Sequence, residues 1–217
     1  PYESCRIADV GDAWVEGPFE LEKSLDEIEG CFREIHDAGV VPVSAGGDHS
    51  VTLPIFRALA KQRPVGMVHF DAHSDTWVDE VALNHGTMFR NALQEGLIDT
   101  DHSIHVGIRT HNHKDHGIEI LDGFWLDEHG ATETAERIRE RVADRKAYLT
   151  FDIDCLDPCY APGTGTPVTG GPSTAWARRV FASLHGIDFI GMDIVEVAPE
   201  YDVAEITSLA AATLVYD

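Results

Sequence analysis

The chain has 217 residues, 43% of them hydrophobic, which excludes a disordered chain and makes residues 1–217 one expected domain. Its 38 acidic residues against 16 basic ones give a formal charge of −22, which disfavours nucleic acid and anionic membranes as partners. No apolar run approaches the roughly 20 residues of a membrane-spanning helix, so no membrane partner is expected.

The strong negative charge has two explanations. It favours small cationic ligands, but an acidic surface suited to high cytoplasmic salt explains it as well, and the scarcity of lysine supports this second interpretation. The four cysteines form no CxxC pair, which predicts a cytoplasmic chain with reduced thiols. The chain opens without an initiator Met, which predicts a processed chain or a fragment.

Apolar runs of strand length alternate with amphipathic helical patterns along the chain. Strands are predicted at residues 6–10, 41–45, 65–70, 103–108, 147–151 and 189–195, and helices at 21–38, 49–61, 132–143 and 173–184. Several strands are continuous apolar runs, as in parallel strands that are covered on both faces. The pattern predicts an α/β fold with three layers around a mostly parallel, doubly wound sheet.

Polar clusters follow four of these predicted strands. GGDHS follows VPVSA, DAHSD follows VGMVHF, DIDCLD follows AYLTF, and Glu196 follows GMDIV. Ligands of open α/β sheets bind beyond the carboxyl ends of the strands. We therefore expect these clusters to converge at one edge of the sheet.

The spacing of the acidic residues and histidines indicates a metal site. The candidate ligands are His49, Asp71, His73, Asp75, Asp152 and Asp154. If extended, Asp71 to Asp75 would span roughly 13 Å, too far for one ion. The chain must curl there or serve two ions held about 3.5–4 Å apart. Oxygen-rich ligands with two imidazoles favour Mn²⁺, without excluding Mg²⁺ or Fe²⁺.

Charge balance indicates the kind of substrate. Four aspartates would neutralise two divalent ions, and a bridging hydroxide would leave one negative charge, which favours a cationic partner. Glu196 adds a carboxylate that can accept the planar fork of a guanidinium. A guanidino substrate is therefore predicted.

Ordinary structural roles are the alternative to these assignments. Each motif alone could be a helix cap or a tight turn, and only their combination argues for a metal site. Cys155 and Cys159 are interpreted as core or loop residues, and Trp77 either packs or lines a pocket mouth. The histidines of THNHKDHG, which are His111, His113 and His116, are interpreted as a solvated loop.

The motifs GGDHS, HFDAHSDT, HGTMF, YLTFDIDCLDPCYAPGTGTPVTGG and GMDIVEVAPEYDVAEITSLAAATL together resemble the ureohydrolases, the arginase–agmatinase superfamily. The resemblance runs from about Val10 to the last residue, and the GTGTPV and VEVAP segments are most similar to agmatinases. It implies an arginase-like fold, two Mn²⁺ ions per subunit and a homo-oligomer, a trimer or a hexamer. The family also has a strand–helix unit before Pro1 and a longer final helix, which again predicts a fragment.

The resemblance also implies roles for individual residues. One ion would be held by His49, Asp71, Asp75 and Asp152, and the other by His73, Asp71, Asp152 and Asp154. Asp75 would orient a bridging hydroxide, Glu196 would hold the guanidinium, His85 would shuttle a proton, and Thr166 would support the ligands.

The implied reaction is hydrolysis of agmatine to putrescine and urea. Guanidinobutyrase, guanidinopropionase and arginase activities stay open as alternatives. An idle regulatory subunit is a further alternative, although every metal ligand of the family motifs is present in this sequence.

Overall fold

One parallel sheet runs through the structure, a computed structural model that describes residues 5–17, 19–111 and 114–217. Over these residues its strands are β1 (Val43–Ala45), β2 (Gly66–Phe70), β3 (Ile104–Val106), β4 (Glu119–Leu121), β5 (Lys146–Asp152) and β6 (Asp188–Val195). Their order is β1-β6-β5-β2-β3-β4, and every neighbouring pair is parallel. The strands that precede the four polar clusters are therefore adjacent.

Helices cover both faces of the sheet. They are α1 (Leu21–Asp37), α2 (Thr52–Ala60), α3 (Met88–Gln94), α4 (Gly123–Val142), α5 (Thr174–Ala182) and α6 (Ile206–Tyr216). Alternate strand residues divide the core: Met67 and Tyr148 pack with α1, α2 and α3, whereas Phe70 and Phe151 pack with α4, α5 and α6. The predicted three-layer α/β fold is confirmed. Over the described residues, no helix combines the length and the apolar character that a bilayer crossing needs.

Two predicted elements were wrong or incomplete, and some observed elements were not predicted. Residues 6–10 form no strand within the described segment 5–17, and the side chains of Ile7 and Val10 are 55% and 72% exposed. Strand β4, at the sheet edge, is too short to produce an apolar run, and neither α3 nor α6 was predicted. Helix α4 begins well before residue 132 because Asp122 caps it, and a kink at Gly130 (φ +72°) interrupts its periodicity.

Candidate metal centre

The carboxyl ends of four neighbouring strands meet at one edge of the sheet, and the candidate ligands lie there. His49 follows β1, the segment from Asp71 to Asp75 follows β2, and Asp152 ends β5. Glu196 directly follows β6, the strand between β1 and β5. The polar clusters converge as the sequence led us to expect.

Three carboxylates surround one imidazole nitrogen in this cluster. The Nδ1 atom of His49 lies 2.9 Å from Asp75 Oδ2 and 3.3 Å from both Asp71 Oδ2 and Asp152 Oδ2. These four residues are buried, yet His49 Nδ1 makes no hydrogen bond of good geometry with any described residue. A buried nitrogen lone pair that faces several carboxylate oxygens is a typical ligand set for a divalent cation. These residues therefore fit a metal ion.

A second group lies beside the first and shares Asp71 with it. The Nδ1 atom of His73 is 3.0 Å from Asp154 Oδ2 and 3.3 Å from Asp71 Oδ1. Asp71 thus turns Oδ2 toward His49 and Oδ1 toward His73, the arrangement of a bridging carboxylate. Asp152 faces the first group through Oδ2, which lies 3.3 Å from His49 Nδ1, whereas its Oδ1 accepts the backbone N–H of Asp154 at 2.8 Å. Its role as a second bridge stays a prediction.

Local turns give these loops their shape. Asp71 Oδ1 accepts the backbone N–H of His73 at 2.6 Å, and Asp48 Oδ1 accepts that of Ser50 at 2.8 Å, so that each aspartate closes a turn over two residues. Asp75 has a φ of +52°, which turns the chain back toward His49. The spacing of Asp71, His73 and Asp75 required the chain either to curl or to serve two ions. The segment from Asp71 to Asp75 does curl, and it also contributes residues to both groups. Left-handed backbone costs a non-glycine residue about 1–3 kcal/mol and is concentrated at functional sites.

The crowded charges shift the pKa values of the cluster. Burial and the charge of Asp71 raise the pKa of Asp75 to about 7 and that of Asp154 to about 6. Burial lowers the pKa of His73, but Asp154 and Asp71 outweigh it and raise the value to about 10. A cation that binds here must displace these protons, because metal ligands bind in their deprotonated forms.

His85 and Glu196 form a pair at the exposed edge of the cluster. The Nδ1 atom of His85 lies 3.4 Å from Glu196 Oε1, and the same oxygen accepts the backbone N–H of His49 at 2.6 Å. The hydrogen bond to Glu196 is the largest influence on His85 and raises its pKa to about 9. The His85 side chain is 47% exposed and can therefore exchange protons with solvent.

A buried layer behind His49 was missed from the sequence. The Nε2 atom of His49 lies 2.9 Å from the hydroxyl of Thr150, which donates to Asp193 Oδ1 at 2.6 Å. Asp193 Oδ2 accepts the hydroxyls of Thr52 and Tyr148, each at 2.8 Å. This network assigns the ring N–H of His49 to Nε2 and leaves Nδ1 free to bind a metal.

Two further side chains support the Asp154 loop. Thr166, predicted from the resemblance as a supporting residue, donates its hydroxyl to Asp154 Oδ2 at 3.1 Å. Arg109 was not predicted, and its guanidinium donates to the carbonyls of Asp154, at 2.7 Å, and Cys155, at 3.0 Å. It also donates to the Val168 carbonyl at 2.7 Å and so ties two loops together.

The remaining candidates lie outside the two groups. Trp77 is partly exposed, contacts the ring of His73 and lines a cavity of about 900 Å³, together with His111 and His116. His113 lies outside the described residues. Cys155 is buried and Cys159 is exposed, and neither belongs to the metal-type clusters of the described chain.

Known protein families and relatives are similar to this chain over its whole length. A family model described as the Arginase family matches residues 1–217. A guanidinopropionase from Pseudomonas aeruginosa is 43% identical across all of this chain and 71% of its own length. An agmatinase from Chromobacterium violaceum is 44% identical across all of this chain and 68% of its own length.

Solved structures agree with these matches. The crystal structure of a hypothetical agmatinase from Burkholderia thailandensis superposes with a TM-score of 0.91 and 49% identity over 94% of this chain and 66% of that one. An arginase from Bacillus subtilis, 24% identical, shares the fold with a TM-score of 0.89 over 99% of this chain and 84% of its own. The chain spans about two thirds of the length of the agmatinase relatives. With a family match over its whole length and relatives above 40% identity, the chain belongs to the arginase family of ureohydrolase enzymes.

Proposed function

We propose that this chain hydrolyses the guanidino group of agmatine at a two-manganese centre and releases urea and putrescine. The observation that carries the proposal is the pair of His/Asp groups that share Asp71, with His85 and Glu196 at their exposed edge. Relatives named agmatinase and guanidinopropionase, at 43–45% identity, support a guanidino substrate.

Six residues of the cluster are the proposed metal ligands. His49 and Asp75 would hold one ion, His73 and Asp154 the other, and Asp71 and Asp152 would contact both. Their oxygen-rich chemistry, with two imidazoles and no thiolate, favours manganese. Two ions held there would supply Lewis acidity, which would lower the pKa of a water molecule toward neutrality.

Glu196 is proposed to hold the substrate. Its Oε1 accepts the His49 backbone N–H, which fixes the carboxylate beside the cluster and leaves further lone pairs for a guanidinium. Asp75 lies next to His49 and would orient the attacking water by accepting a hydrogen bond from it.

His85 is proposed to protonate the leaving group. When water adds to the guanidinium carbon and the C–N bond to the alkyl chain breaks, the departing nitrogen needs a proton. Because Glu196 raises the pKa of His85 to about 9, the imidazole carries that proton near neutral pH. Its partial exposure allows reprotonation from solvent.

Agmatine is favoured over guanidino acids by charge. Asp48 Oδ2 lies 3.8 Å from His85 Nδ1 and adds a carboxylate at the exposed edge besides Glu196, which favours a second cationic group on the substrate. A guanidinopropionase matches all of this chain, which makes 3-guanidinopropionate the second candidate.

The test is urea release by the Mn²⁺-loaded protein from agmatine, arginine, 4-guanidinobutyrate and 3-guanidinopropionate. We expect the highest kcat/KM with agmatine and no urea from Asp152→Asn, which keeps the shape of the ligand and removes its charge. Preference for a guanidino acid would shift the assignment to the second candidate. Full activity of Asp152→Asn would refute the two-ion centre, and absence of urea with all four compounds would favour an idle regulatory subunit.

We further propose that residues 1–217 act as one domain within a homo-oligomer, a trimer or a hexamer. Light scattering of the purified protein measures this directly, and a monomeric mass would contradict it.

A further inference from the structure

Two buried histidines lie behind the candidate metal centre, and the proposed mechanism assigns neither a task. His69 on β2 and His105 on β3 are register partners on neighbouring strands and are 0% and 1% exposed. Their Nδ1 atoms are 2.7 Å apart, and the Nε2 atom of His69 lies 2.8 Å from Asp71 Oδ2. The two rings thus form a chain of hydrogen bonds that ends on the carboxylate shared by both metal groups.

The positions of the protons in this chain follow from its partners. A carboxylate that binds cations is ionised and can only accept, so the N–H between His69 and Asp71 belongs to His69 Nε2. A neutral His69 then has a lone pair at Nδ1, and the contact at 2.7 Å requires the N–H to be on His105 Nδ1. Each ring therefore has one defined tautomer, although both nitrogens of a free imidazole can carry the proton.

The orientation of Asp71 depends on this chain of bonds. Asp71 is the residue whose two carboxylate oxygens face different groups, Oδ2 toward His49 and Oδ1 toward His73. Rotation of the carboxylate would break the link between the groups. The His69 N–H restrains such a rotation, because it binds the oxygen that faces His49.

We propose that His105 and His69 are positioning residues of the metal centre: His69 holds the bridging carboxylate of Asp71 through its Nε2–H, and His105 donates to Nδ1 of His69 and so stabilises that tautomer and the position of the ring. The inference rests on the proposed two-ion site and extends it by two residues of the β2–β3 pair. If His69 instead bound a metal through Nε2, its proton would lie on Nδ1, and the two assignments are therefore distinguishable.

A matched pair of substitutions tests the inference. His105→Asn keeps a donor in place, because the amide nitrogen and the imidazole Nδ1 are both bonded to Cγ, whereas His105→Leu puts a methyl group of similar size there. Calorimetric titration with Mn²⁺ should show that His105→Asn keeps the wild-type affinity and that His105→Leu weakens it by up to about 10–100-fold, the range for disturbing the partner that supports a metal ligand, because His69 then lacks the donor that holds its ring against Asp71. Equal affinities for the two variants, whether retained or lost, would overturn the inference.

A measurement on the unchanged protein does not depend on the folding of any variant. Long-range ¹H–¹⁵N NMR correlations of the histidine rings should show the proton of His69 on Nε2 and that of His105 on Nδ1. A proton on Nδ1 of His69, or on both of its nitrogens, would overturn the inference. The protein could show these tautomers in the metal-free form and bind two Mn²⁺ ions, yet release no urea. That result would refute the proposed function and leave this inference standing.

Discussion

Thr150 connects the candidate ligand His49 to the buried Asp193, and its replacement by valine tests how much this layer supports the metal centre. Valine has the shape of threonine without the hydroxyl, so His49 Nε2 and Asp193 Oδ1, at 2.9 and 2.6 Å, each lose a partner. A hydrogen bond to a charged group contributes about 1.5–3 kcal/mol, and an unpaired buried donor costs about 1–3 kcal/mol. Because both effects share one hydroxyl, they do not add fully, and we expect a loss of about 3 kcal/mol.

The assay compares Thr150→Val with Thr150→Ser, which keeps the hydroxyl and loses only a methyl group. At about 2–4 °C per kcal/mol for a chain of this size, Thr150→Val should lower the Tm by roughly 6–12 °C. The serine control should cost only about 1 kcal/mol. Thr150→Val should also weaken Mn²⁺ binding by about 10–100-fold in calorimetry, since His49 loses the partner that sets its tautomer. A valine variant that melts and binds Mn²⁺ like the serine variant would refute the reasoning.

Three further predictions concern the role of Glu196, the pH dependence of Mn²⁺ binding and the effect of salt on thermal stability. Glu196→Gln should lower kcat/KM for agmatine much more than Mn²⁺ affinity, and the reverse order, measured by urea release and calorimetry, would refute its role. Mn²⁺ affinity should rise most steeply up to about pH 7, where both Asp75 (pKa about 7) and His73 (pKa about 10) must lose protons to bind a cation, and less steeply from there to about pH 10, where only His73 must. Calorimetry in buffers of different ionisation enthalpy should detect these protons, and a pH-independent affinity would contradict the prediction. If the charge of −22 reflects adaptation to salt, the Tm should rise from low to molar KCl, and an unchanged Tm would count against that interpretation.

The fold was predictable where the sequence pattern is local. Strands β2 and β5 are buried on both faces, and β6 is buried over its last three residues and mostly partly buried before them, so that all three appear as largely apolar runs. Residues 6–10 (RIADV) are a short apolar stretch interrupted by Asp9, and strand formation also needs a partner strand, which an apolar pattern does not reveal. The early start of α4 depends on the cap at Asp122 and the kink at Gly130, neither of which follows the apolar period.

The candidate ligands were predictable because they stand in short motifs directly after strands. The residues behind them were not, since His69, Thr150 and Asp193 lie within apolar runs and make their contacts across strands. Strand alternation still offers a signal. His69 and Thr150 each lie two residues before a candidate ligand, Asp71 and Asp152, and so share its face of the sheet.

A crystal structure of the Mn²⁺-loaded protein, with diffraction data collected at the manganese absorption edge, tests the two-ion centre most directly. The account predicts two anomalous peaks about 3.5–4 Å apart. One should lie within bonding distance of His49 and Asp75, the other within bonding distance of His73 and Asp154, and Asp71 should lie between them. A single peak, or peaks away from these residues, would contradict it.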